Sequence, residues 1–580
     1  MLVEVFESLP IAEKNMLPVL KSWVLVTVVL LTFGCQFPRP HEPPVPPLNV
    51  ILLTVDSVNV SHLSTYGYHR PTTPTLDWIS DNGIRFEHVI ASACWTTPAL
   101  LSLFTGLYPE VHGVRARGDS LLPETDSVFD LFRRHGYRVP NIAYLTAIPN
   151  YANIGLGTNK PQLVGRRIKK GDELLNWLKS NPQGPFFVWY HYSYLHLPYN
   201  PDPEFNIFLA KKQKKHLKSK SVSTVMKSGV IPQGSQRFSG QEKKIIQALY
   251  DGQLRELDHF FRKLLDQMTA SNLHQNTLLV ITADHGEELF EHGFIGHAST
   301  SHQAKLYDEL VRIPLLLYAP SRFEGGQSID SPVGQVDIMP TVLDIVGIPK
   351  PDGIHGMSLY HALQGVQIRN DRPLYNESIL AGYQSNSKQR SIVLRSRRTS
   401  DWKLICTQKH DQETCSLFDL KNDPSEQNDQ SSQAVKTFLQ QKKLLKQHIA
   451  ALQMERLRLL ARSNTRFLPE EIPKEVQLQL PQFLKPVKGN SKLTTDRCVT
   501  MKLSWTGDPK AVYVLQYRIG TGFHNLTGAI PVQGISKEFG PLPDNICELL
   551  PGWNPFRFRV APYGLDDYWS DWIELRIEHK

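Results

Sequence analysis

Two apolar, β-branched segments that each lead to an aspartate most constrain the fold of this chain. Residues Thr277 to Ile281 (TLLVI) precede Asp284 and His285, and residues Asn49 to Val55 (NVILLTV) precede Asp56. Continuous apolar runs of this length are typical of strands buried on both faces of a parallel sheet. Ligands of open α/β sheets bind beyond the carboxyl ends of the strands. The sequence therefore predicts a site at one sheet edge, where two carboxylates would suit Mg²⁺ or Ca²⁺.

The pattern around these two segments predicts an α/β domain. Further strands are expected at Pro185 to Tyr190 and Ile313 to Tyr318, and helices at Leu76 to Gly83 and Gln241 to Met268. The 580 residues, 41% hydrophobic and 21% charged, are typical of a globular chain with room for several domains.

A helix is expected after Trp95, and it would carry a hydroxyl at its start. Thr97 and Pro98 fit the N-cap and first position, and Gly106 fits the residue after the end. The neighbouring Thr96 would then project at a helix N-terminus, which favours anions. Thr96 is either a capping group or, beside a metal site, an activated nucleophile.

Histidines follow two of the predicted strands. His191 and His196 come after one strand, and His292, His297 and His302 come after the Asp284 segment. A single histidine is more often a structural hydrogen-bonding group, whereas two after one strand end favour contact with an anion or leaving group.

The net charge of +8 is partly concentrated in residues 211–220 (KKQKKHLKSK), within a predicted loop-rich insertion at 201–240. Charge blocks of this kind are usually solvated loops. The alternative is a basic rim that steers an acidic substrate. The mild overall excess is weak evidence for a polyanionic partner, and no nucleic-acid partner is expected.

The N-terminus predicts export. Lys21 precedes an apolar run, residues 22–34, which is short for a membrane span and is followed by Cys35. Gly34-Cys35 resembles a bacterial lipobox, which implies lipidation of Cys35 in the cell envelope, although the two residues before Gly34 depart from that pattern. Met16 would give a signal of ordinary length, and residues 38–47 a stiff proline-rich tether.

Export would make disulfides plausible among the six cysteines. Cys406 and Cys415 flank a polar stretch like the two sides of a hairpin, and Cys498 and Cys547 both lie near the C-terminus. We predict both pairs to be oxidised, and buried free thiols are the alternative.

At this point several motifs together resemble the sulfatase family of the alkaline phosphatase superfamily. They span residues 48–430 in the family's order and are NVILLTVD, YGYHRPTTPTLDWI, LFTGLYPEVHG, YHYSYLHLPY, TADHGEE, LYDELVRIPLLLYAP, VDIMPTVLDIVGIP and LFDLKNDPSEQND. The resemblance implies a large mixed β-sheet between helices, followed by a small antiparallel sheet with a helix at residues 390–459.

The resemblance also implies roles for six residues. It implies three ligands of one divalent metal, a nucleophile position, and two histidines that contact ester oxygens and the leaving group, namely Asp56, Asp284 and His285, then Thr96, then His196 and His302. His302 is preferred to His297 because it stands five residues before Tyr307. Ca²⁺ or Mg²⁺ is the expected ion, with Zn²⁺ or Mn²⁺ as alternatives.

The chain departs from the family at the nucleophile. The usual motif has Cys or Ser, then Pro, then Arg, whereas this chain has Thr96, Pro98 and Leu100. Cys94 has the wrong spacing, so the formylglycine that the family makes from that cysteine is not expected. Ser57 also replaces a frequent second aspartate. Relatives in the superfamily use threonine as nucleophile, so the departure is compatible with activity.

A separate C-terminal module is expected. Short alternating runs with Trp505, Tyr517 and Phe558 resemble a fibronectin type III sandwich, and residues 569–572 (WSDW) its cytokine-receptor variant. The predicted domains are an export segment at 1–35, a tether at 36–48, the catalytic domain at 49–389, its C-terminal subdomain and helix at 390–465, a linker at 466–486 and the β-sandwich at 487–580.

The resulting hypothesis is an exported, metal-dependent hydrolase of sulfate or phosphate esters, acting on a glycan or a lipid head group. The single hydroxyl of Thr96 favours phosphate over sulfate esters. The alternatives are a transferase that passes a phosphate-linked group through Thr96, or an inactive binder of sulfated or phosphorylated glycans. Leu100 at the arginine position favours the binder, and the retained Asp56, Asp284 and His285 disfavour it.

Overall fold

The computed structural model of the chain describes residues 47–116, 119, 121, 125–140, 171–180, 182–369, 371–409 and 412–463, together with seven strands between 491 and 579. The predicted export segment, the Cys498–Cys547 pair, the interdomain linker and the WSDW motif lie outside the described residues. Within the described part of the chain, none of the helices combines the length and apolarity that a membrane crossing needs.

A seven-stranded mixed sheet forms the centre of the larger domain. Its order is β3-β1-β4-β7-β2-β8, with β9 also paired to β2. Strands β3, β1 and β4 are parallel, and β7 runs antiparallel to both β4 and β2. The bounds are β1 Asn49–Val55, β2 Ile84–Ile90, β3 Phe187–Tyr192, β4 Thr277–Ala283, β7 Arg312–Tyr318, β8 Gln327–Ile329 and β9 Val333–Gly334, with a separate hairpin of β5 Glu288–Leu289 and β6 Ile295–Gly296.

The two strands that the sequence singled out are neighbours. Every residue of β1 and of β4 is buried, as expected for strands covered on both faces. Val55 pairs with Ala283 in a parallel register, so Asp56 and Asp284 follow at the same edge of the sheet. The predicted convergence of these strand ends is confirmed.

Helices cover both faces of this sheet and continue into a smaller subdomain. In chain order they are α1 Pro74–Asp81, α2 Thr96–Thr105, α3 Pro109–His112, α4 Val128–Arg134, α5 Asp172–Lys179, α6 Lys220–Val225, α7 Gly240–Ala270, α8 Ala298–Ser301, α9 Asp308–Val311, α10 Ile338–Val346, α11 Tyr360–Leu363, α12 Ser387–Arg390 and α13 Val435–Ser463. Short 3₁₀ turns lie at Val60–His62, Ser64–Tyr66, Lys214–Lys218, His274–Asn276, Gln335–Asp337 and Gly382–Gln384.

Two helix boundaries differ from the sequence prediction. Helix α2 starts at Thr96 with Trp95 as its N-cap, so Thr97 is not the N-cap. Helix α1 ends at Asp81, and Gly83 is required for another reason than helix termination: a Cβ there would lie 2.5 Å from the carbonyl oxygen of Leu317. The close approach of strand β7 therefore explains this glycine.

The smaller subdomain is a four-stranded antiparallel sheet with one long helix. Its strands pair in the order β10-β11-β12-β13, with bounds β10 Leu374–Ile379, β11 Ile392–Arg398, β12 Trp402–Lys409 and β13 Gln412–Asp419. Helix α13 packs Leu445 against Leu404 and Leu417 of the sheet. A disulfide joins Cys406 to Cys415 at directly opposed positions of β12 and β13, as predicted.

The last seven strands form a separate all-β set. Five of them order as β14-β20-β19-β16-β17, and β15 pairs with β18. The bounds are β14 Ser491–Thr495, β15 Met501–Ser504, β16 Val512–Ile519, β17 Leu526–Gln533, β18 Ser536–Phe539, β19 Phe556–Pro562 and β20 Ile573–His579. The expected fold class is confirmed, and the fibronectin type III assignment stays a prediction.

Candidate functional site

Four of the six residues implied by the resemblance converge at the carboxyl edge of the sheet. His285 Nε2 lies 3.4 Å from Thr96 Oγ1, 3.4 Å from Asp284 Oδ2 and 3.7 Å from Asp56 Oδ1. All four side chains are buried, with exposed fractions of 7% or less. Two carboxylates, an imidazole and a hydroxyl therefore face one point.

The backbone fixes this arrangement. The Asp56 N–H donates to Tyr192 O at 3.0 Å, and the Asp284 N–H donates to Val55 O at 3.2 Å, so both turns continue the sheet's hydrogen bonding. Gly286 has no room for a side chain, since a Cβ would lie 2.0 Å from Glu309 O. The site is thus built on rigid strand ends and not on free loops.

His285 presents the nitrogen that a metal needs. Its Nδ1 lies 2.8 Å from the carbonyl oxygen of Gly286, which can only accept a hydrogen bond. The proton of a neutral ring is therefore on Nδ1, and the lone pair of Nε2 points at the two carboxylates and Thr96. A fixed tautomer of this kind is the usual arrangement of a metal-binding histidine.

His191 joins the same cluster, although the sequence analysis did not assign it there as a ligand. Its Nε2 lies 3.6 Å from Asp56 Oδ2, and its Nδ1 lies 2.8 Å from Thr54 Oγ1. Thr54 Oγ1 accepts a hydrogen bond from Trp189 Nε1 at 2.9 Å. One ligand atom from each of Asp56, His191 and Asp284 lies within 4.8 Å of the others. The signal was its position on β3, the strand that pairs with β1.

The electrostatics of the cluster fit a cation. Burial and the neighbouring Asp56 charge raise the pKa of Asp284 well above its ordinary value. Burial opposes ionisation of Asp56, but the imidazoles of His196, His191 and His285 outweigh it and hold the pKa of Asp56 below its ordinary value.

Two polar atoms of the cluster are buried without a hydrogen-bond partner among the described residues, Asp284 Oδ2 and His191 Nε2. Such atoms cost about 1–3 kcal/mol each when they stay unpaired. A divalent ion would satisfy both atoms and separate the two carboxylates, so the residues present fit a metal.

A second histidine chain borders the cluster. His297 Nδ1 lies 2.7 Å from Glu287 Oε2, and the Tyr199 hydroxyl donates to the other oxygen of Glu287. Burial raises the pKa of Glu287 to about 8, and burial together with His285 and His196 lowers the pKa of His297 well below its ordinary value. His297 Nδ1 and Glu287 Oε2 therefore share one proton, and His297 Nε2 has no hydrogen-bond partner in the described part of the chain.

The structure places His196 beside this chain and His302 apart from it. The His196 ring lies 5.0 Å from that of His297, which in turn lies 4.4 Å from that of His285. His302 ends α8 in a left-handed conformation, with φ of 59°, and no hydrogen bond, ion pair or ring contact joins it to the cluster in the described ranges. The motif spacing favoured His302, whereas the packing favours His297.

Thr96 opens α2, and its Oγ1 lies 3.4 Å from His285 Nε2. Cys94 is a free, fully buried thiol, and burial raises its pKa to about 11, so it is unsuited to nucleophilic attack. Leu100 is buried in the core and supplies no charge. The helix N-terminus remains as a source of N–H donors for an anion.

Two family models match this chain, and their matched ranges overlap. The sequence model of the family described as Sulfatase matches residues 48–348, which is more than half of the chain. A second model, described as N-sulphoglucosamine sulphohydrolase, C-terminal, matches residues 297–455 and so covers the smaller subdomain.

Curated relatives match at low identity over most of their length. Arylsulfatase K from Homo sapiens is 24% identical over 426 residues, covering 65% of this chain and 78% of the relative. An ulvan-active sulfatase from Formosa agariphila is 24% identical over 417 residues, covering 66% and 76%.

Solved structures share the fold. One in complex with its substrate D-glucosamine-2-N,6-O-disulfate aligns with a TM-score of 0.55 at 19% identity, over 71% of this chain and 98% of its own. Phosphonate monoester hydrolase of Agrobacterium radiobacter aligns with a TM-score of 0.57 at 19% identity, over 70% and 96%.

Proposed function

We propose, from the premise that this chain belongs to the sulfatase family, that it is a metal-dependent hydrolase of anionic esters with Thr96 as its nucleophile. The observation that carries the proposal is the 3.4 Å separation between Thr96 Oγ1 and His285 Nε2, inside the cluster of buried carboxylates. A capping role does not account for this placement, since Trp95 is the N-cap of α2 and Thr96 is already its first residue.

The cluster would hold the divalent ion. Asp56, Asp284 and His285 are the proposed ligands, with His191 as a further one. A bound ion would lower the pKa of the Thr96 hydroxyl and offset the negative charge of the ester. The N–H groups that open α2 would hold ester oxygens. These donors would compensate for the absence of an arginine at the position of Leu100.

Two histidines are proposed for the leaving oxygen. His196 Nδ1 lies 2.6 Å from the carbonyl oxygen of Leu197, so Nδ1 donates and Nε2 is available to carry a proton to the leaving group. His297 would contact an ester oxygen through Nε2, because Glu287 engages its Nδ1. We propose His297 in place of His302 on this contact chain.

The single hydroxyl of Thr96 supports a preference for phosphate esters. A formylglycine hydrate has two hydroxyls, and the second can expel sulfate by breaking a C–O bond. Sulfated threonine lacks this route and would need water to attack sulfur. A phosphothreonine can be cleaved by water at phosphorus, so phosphate mono- or diesters should be turned over faster than sulfate esters.

The insertion at residues 201–240 supports an anionic substrate larger than one ester group. Tyr250 of α7 donates to the carbonyl of Ser57, the residue after Asp56, at 2.7 Å. Ser219, near the end of the basic segment of residues 211–220, donates at 2.9 Å to Glu242 in the first turn of the same helix. The basic segment is therefore proposed as the part of the insertion that meets the charged groups of such a substrate.

Two features support export and a carbohydrate substrate. The Cys406–Cys415 disulfide is typical of an oxidising compartment, in agreement with the export signal predicted at residues 1–35. One relative is an ulvan-active sulfatase, and one solved structure contains its substrate D-glucosamine-2-N,6-O-disulfate. We propose a sulfated or phosphorylated glycan as the substrate class.

Paired aryl sulfate and aryl phosphate esters with the same leaving group test the proposal. The expected result is a higher kcat/KM for the phosphate ester, loss of turnover with a chelator, and loss of turnover in Thr96→Ala. Thr96→Cys should restore little, because Leu100 leaves the formylglycine motif incomplete. A clear sulfate preference, with Thr96 unmodified by mass spectrometry, would contradict the phosphate assignment.

Absence of turnover for both esters, with metal bound, would contradict the hydrolase. The two alternatives would then separate by product analysis. A transferase would leave a phosphorus-containing group on Thr96 or pass it to an added alcohol, whereas a binder would retain a sulfated or phosphorylated glycan unchanged.

A further inference from the structure

The donor set of the cluster points to one class of ion. We propose that His191 is a metal ligand and that this chain selects Zn²⁺ over Ca²⁺ and Mg²⁺. This proposal rests on the metal site of the proposed function. It concerns the residues that hold the ion and does not concern the reaction.

The position of His191 favours coordination over a structural role. Its ring is buried, and Nε2 has no hydrogen-bond partner among the described residues while it faces Asp56 Oδ2 at 3.6 Å. A structural histidine would have used both ring nitrogens, because an unpaired buried nitrogen is costly. An ion in the cluster would give Nε2 a partner.

The other side of the His191 ring is fixed. Nδ1 lies 2.8 Å from Thr54 Oγ1, and Trp189 donates to the same hydroxyl at 2.9 Å. Thr54 and His191 are also register partners in the parallel pairing of β1 with β3. The ring is thus held by a second set of contacts, as ligand histidines usually are.

The separations allow shared coordination. The contacts from His191 to Asp56 and from His285 to Asp284 and Asp56 measure 3.6, 3.4 and 3.7 Å. Two ligands with bonds of about 2.1 Å to one ion lie about 3–4 Å apart, so each of these pairs fits two neighbours around an ion. One donor atom from each of Asp56, His191 and Asp284 lies within 4.8 Å of the others, and His285 adjoins this group through Asp56 and Asp284.

Donor chemistry then decides the selectivity. The cluster offers imidazole nitrogens from His191 and His285 and carboxylates from Asp56 and Asp284. Ca²⁺ takes about six to eight oxygen ligands and Mg²⁺ prefers oxygen as well, whereas imidazole suits Zn²⁺.

Ser57 does not add a third carboxylate. It supplies a hydroxyl, and this hydroxyl donates to Asp56 Oδ1 at 2.7 Å. The protein side chains at this point are therefore too few and too rich in nitrogen for a calcium site. Zn²⁺ therefore ranks ahead of Ca²⁺ and Mg²⁺ at this site, the reverse of the order expected from the sequence.

Direct metal binding to the full chain tests the inference without any substrate. The chelator-treated protein is titrated with Zn²⁺, Mn²⁺, Ca²⁺ and Mg²⁺ as simple salts, and Kd is measured by competition with a chromophoric chelator. Wild type should bind Zn²⁺ at least roughly 100-fold more tightly than Ca²⁺ or Mg²⁺. His191→Asp, which exchanges nitrogen for oxygen, should reduce this ratio at least roughly tenfold.

His448→Asn is the matched control, because it removes a half-buried imidazole that is stacked on Tyr375 in the smaller subdomain. It should leave the ratio unchanged. X-ray absorption of the zinc-loaded wild type gives a readout that needs no variant, with two imidazoles expected on the ion.

Each remaining outcome overturns the inference. Tighter binding of Ca²⁺ or Mg²⁺, an unchanged ratio in His191→Asp, or a single imidazole in the absorption spectrum would exclude His191 or the selectivity while leaving the Thr96 hydrolase intact. Failure to bind any of the four ions would overturn both this inference and the metal dependence of the proposed function. Unchanged turnover in Thr96→Ala, with the metal-binding results as expected, would overturn only the proposed role of Thr96.

Discussion

Asp284→Asn is expected to stabilise the metal-free protein while it removes metal binding and activity. The Asp284 side chain is fully buried, and its Oδ1 accepts from the Ser57 N–H at 3.2 Å and the His285 N–H at 2.7 Å. Its Oδ2 has no hydrogen-bond partner in the described ranges. Asparagine has the same shape and retains both accepted bonds through its oxygen, so the fold should survive.

The magnitude follows from the spacing of the two carboxylates. One oxygen of Asp284 and one of Asp56 lie within 4.8 Å, a distance at which two unit charges repel by about 3.5 kcal/mol at an effective dielectric constant of about 20. Nearby imidazoles and partial protonation of Asp284 reduce this repulsion. We expect the free energy of unfolding of the metal-free variant to exceed that of wild type by about 2 kcal/mol at pH 8.

The pH dependence has a definite sign. Burial and the Asp56 charge raise the pKa of Asp284 in the folded protein above its ordinary value of 3.8. The folded protein thus binds the proton more tightly than the unfolded chain, and this contribution to stability is complete at low pH and is lost as the pH rises. The advantage of Asp284→Asn should therefore be smaller at pH 5 than at pH 8.

Urea unfolding of the chelator-treated full chain at pH 5 and pH 8 measures the effect, and the shift of Tm on adding metal measures binding. Asp337→Asn is the control of opposite sign. Asp337 is equally buried but paired with Arg372 at 2.6 and 2.8 Å, so its neutralisation should cost about 3 kcal/mol. If metal-free Asp284→Asn were less stable than wild type at both pH values, or kept the metal-induced Tm shift, the reasoning would be refuted.

Three further predictions concern other parts of the chain. The double variant Cys406→Ala/Cys415→Ala should lower the free energy of unfolding by roughly 2–3 kcal/mol, since the bond closes a short loop; urea unfolding with and without reductant checks this, and thiol labelling of wild type at these positions would contradict it. Burial lowers the pKa of His112 to about 3, so the contribution of His112 to stability is complete above the ordinary pKa of 6.5 and is lost as the pH falls towards 3. Between pH 7 and pH 5.5 the free energy of unfolding of wild type should fall by about 1 kcal/mol more than that of His112→Asn, and equal losses in the two proteins would disprove this. Substitution of the four exposed lysines of residues 211–218 by glutamine should reduce kcat/KM roughly tenfold for a polyanionic substrate at low salt and leave kcat/KM for a small aryl ester unchanged. Substitution of two exposed lysines of α13 by glutamine is the control.

Much of the large domain was predictable because local pattern and burial agree there. The runs at Asn49–Val55 and Thr277–Ala283 are apolar at every position that a doubly covered strand must bury, so their type and their shared edge followed from the sequence. The Cys406–Cys415 pair was predictable for the same reason, since a hairpin places opposed positions together. These are consequences of short-range geometry.

Helix termini were less predictable. Thr97 and Pro98 suit a helix start, yet the helix already begins at Thr96, because Trp95 has the extended backbone of an N-cap without supplying a capping hydrogen bond. Gly83 looked like a helix stop, but its reason is the approach of Leu317 from another strand. Such contacts come from residues far apart in the chain.

By itself, the sequence determined the fold class and the meeting of Asp56 with Asp284 and His285, because these residues follow two buried strands. It associated Thr96 with them through the resemblance to the sulfatase family. Only the tertiary structure decided which histidines join them. His191 enters the cluster through the pairing of β3 with β1, and His297 borders it through Glu287, whereas His302 ends α8 apart from both. Spacing along the chain cannot distinguish His297 from His302, since the direction of a side chain outside the sheet depends on the elements that pack around it.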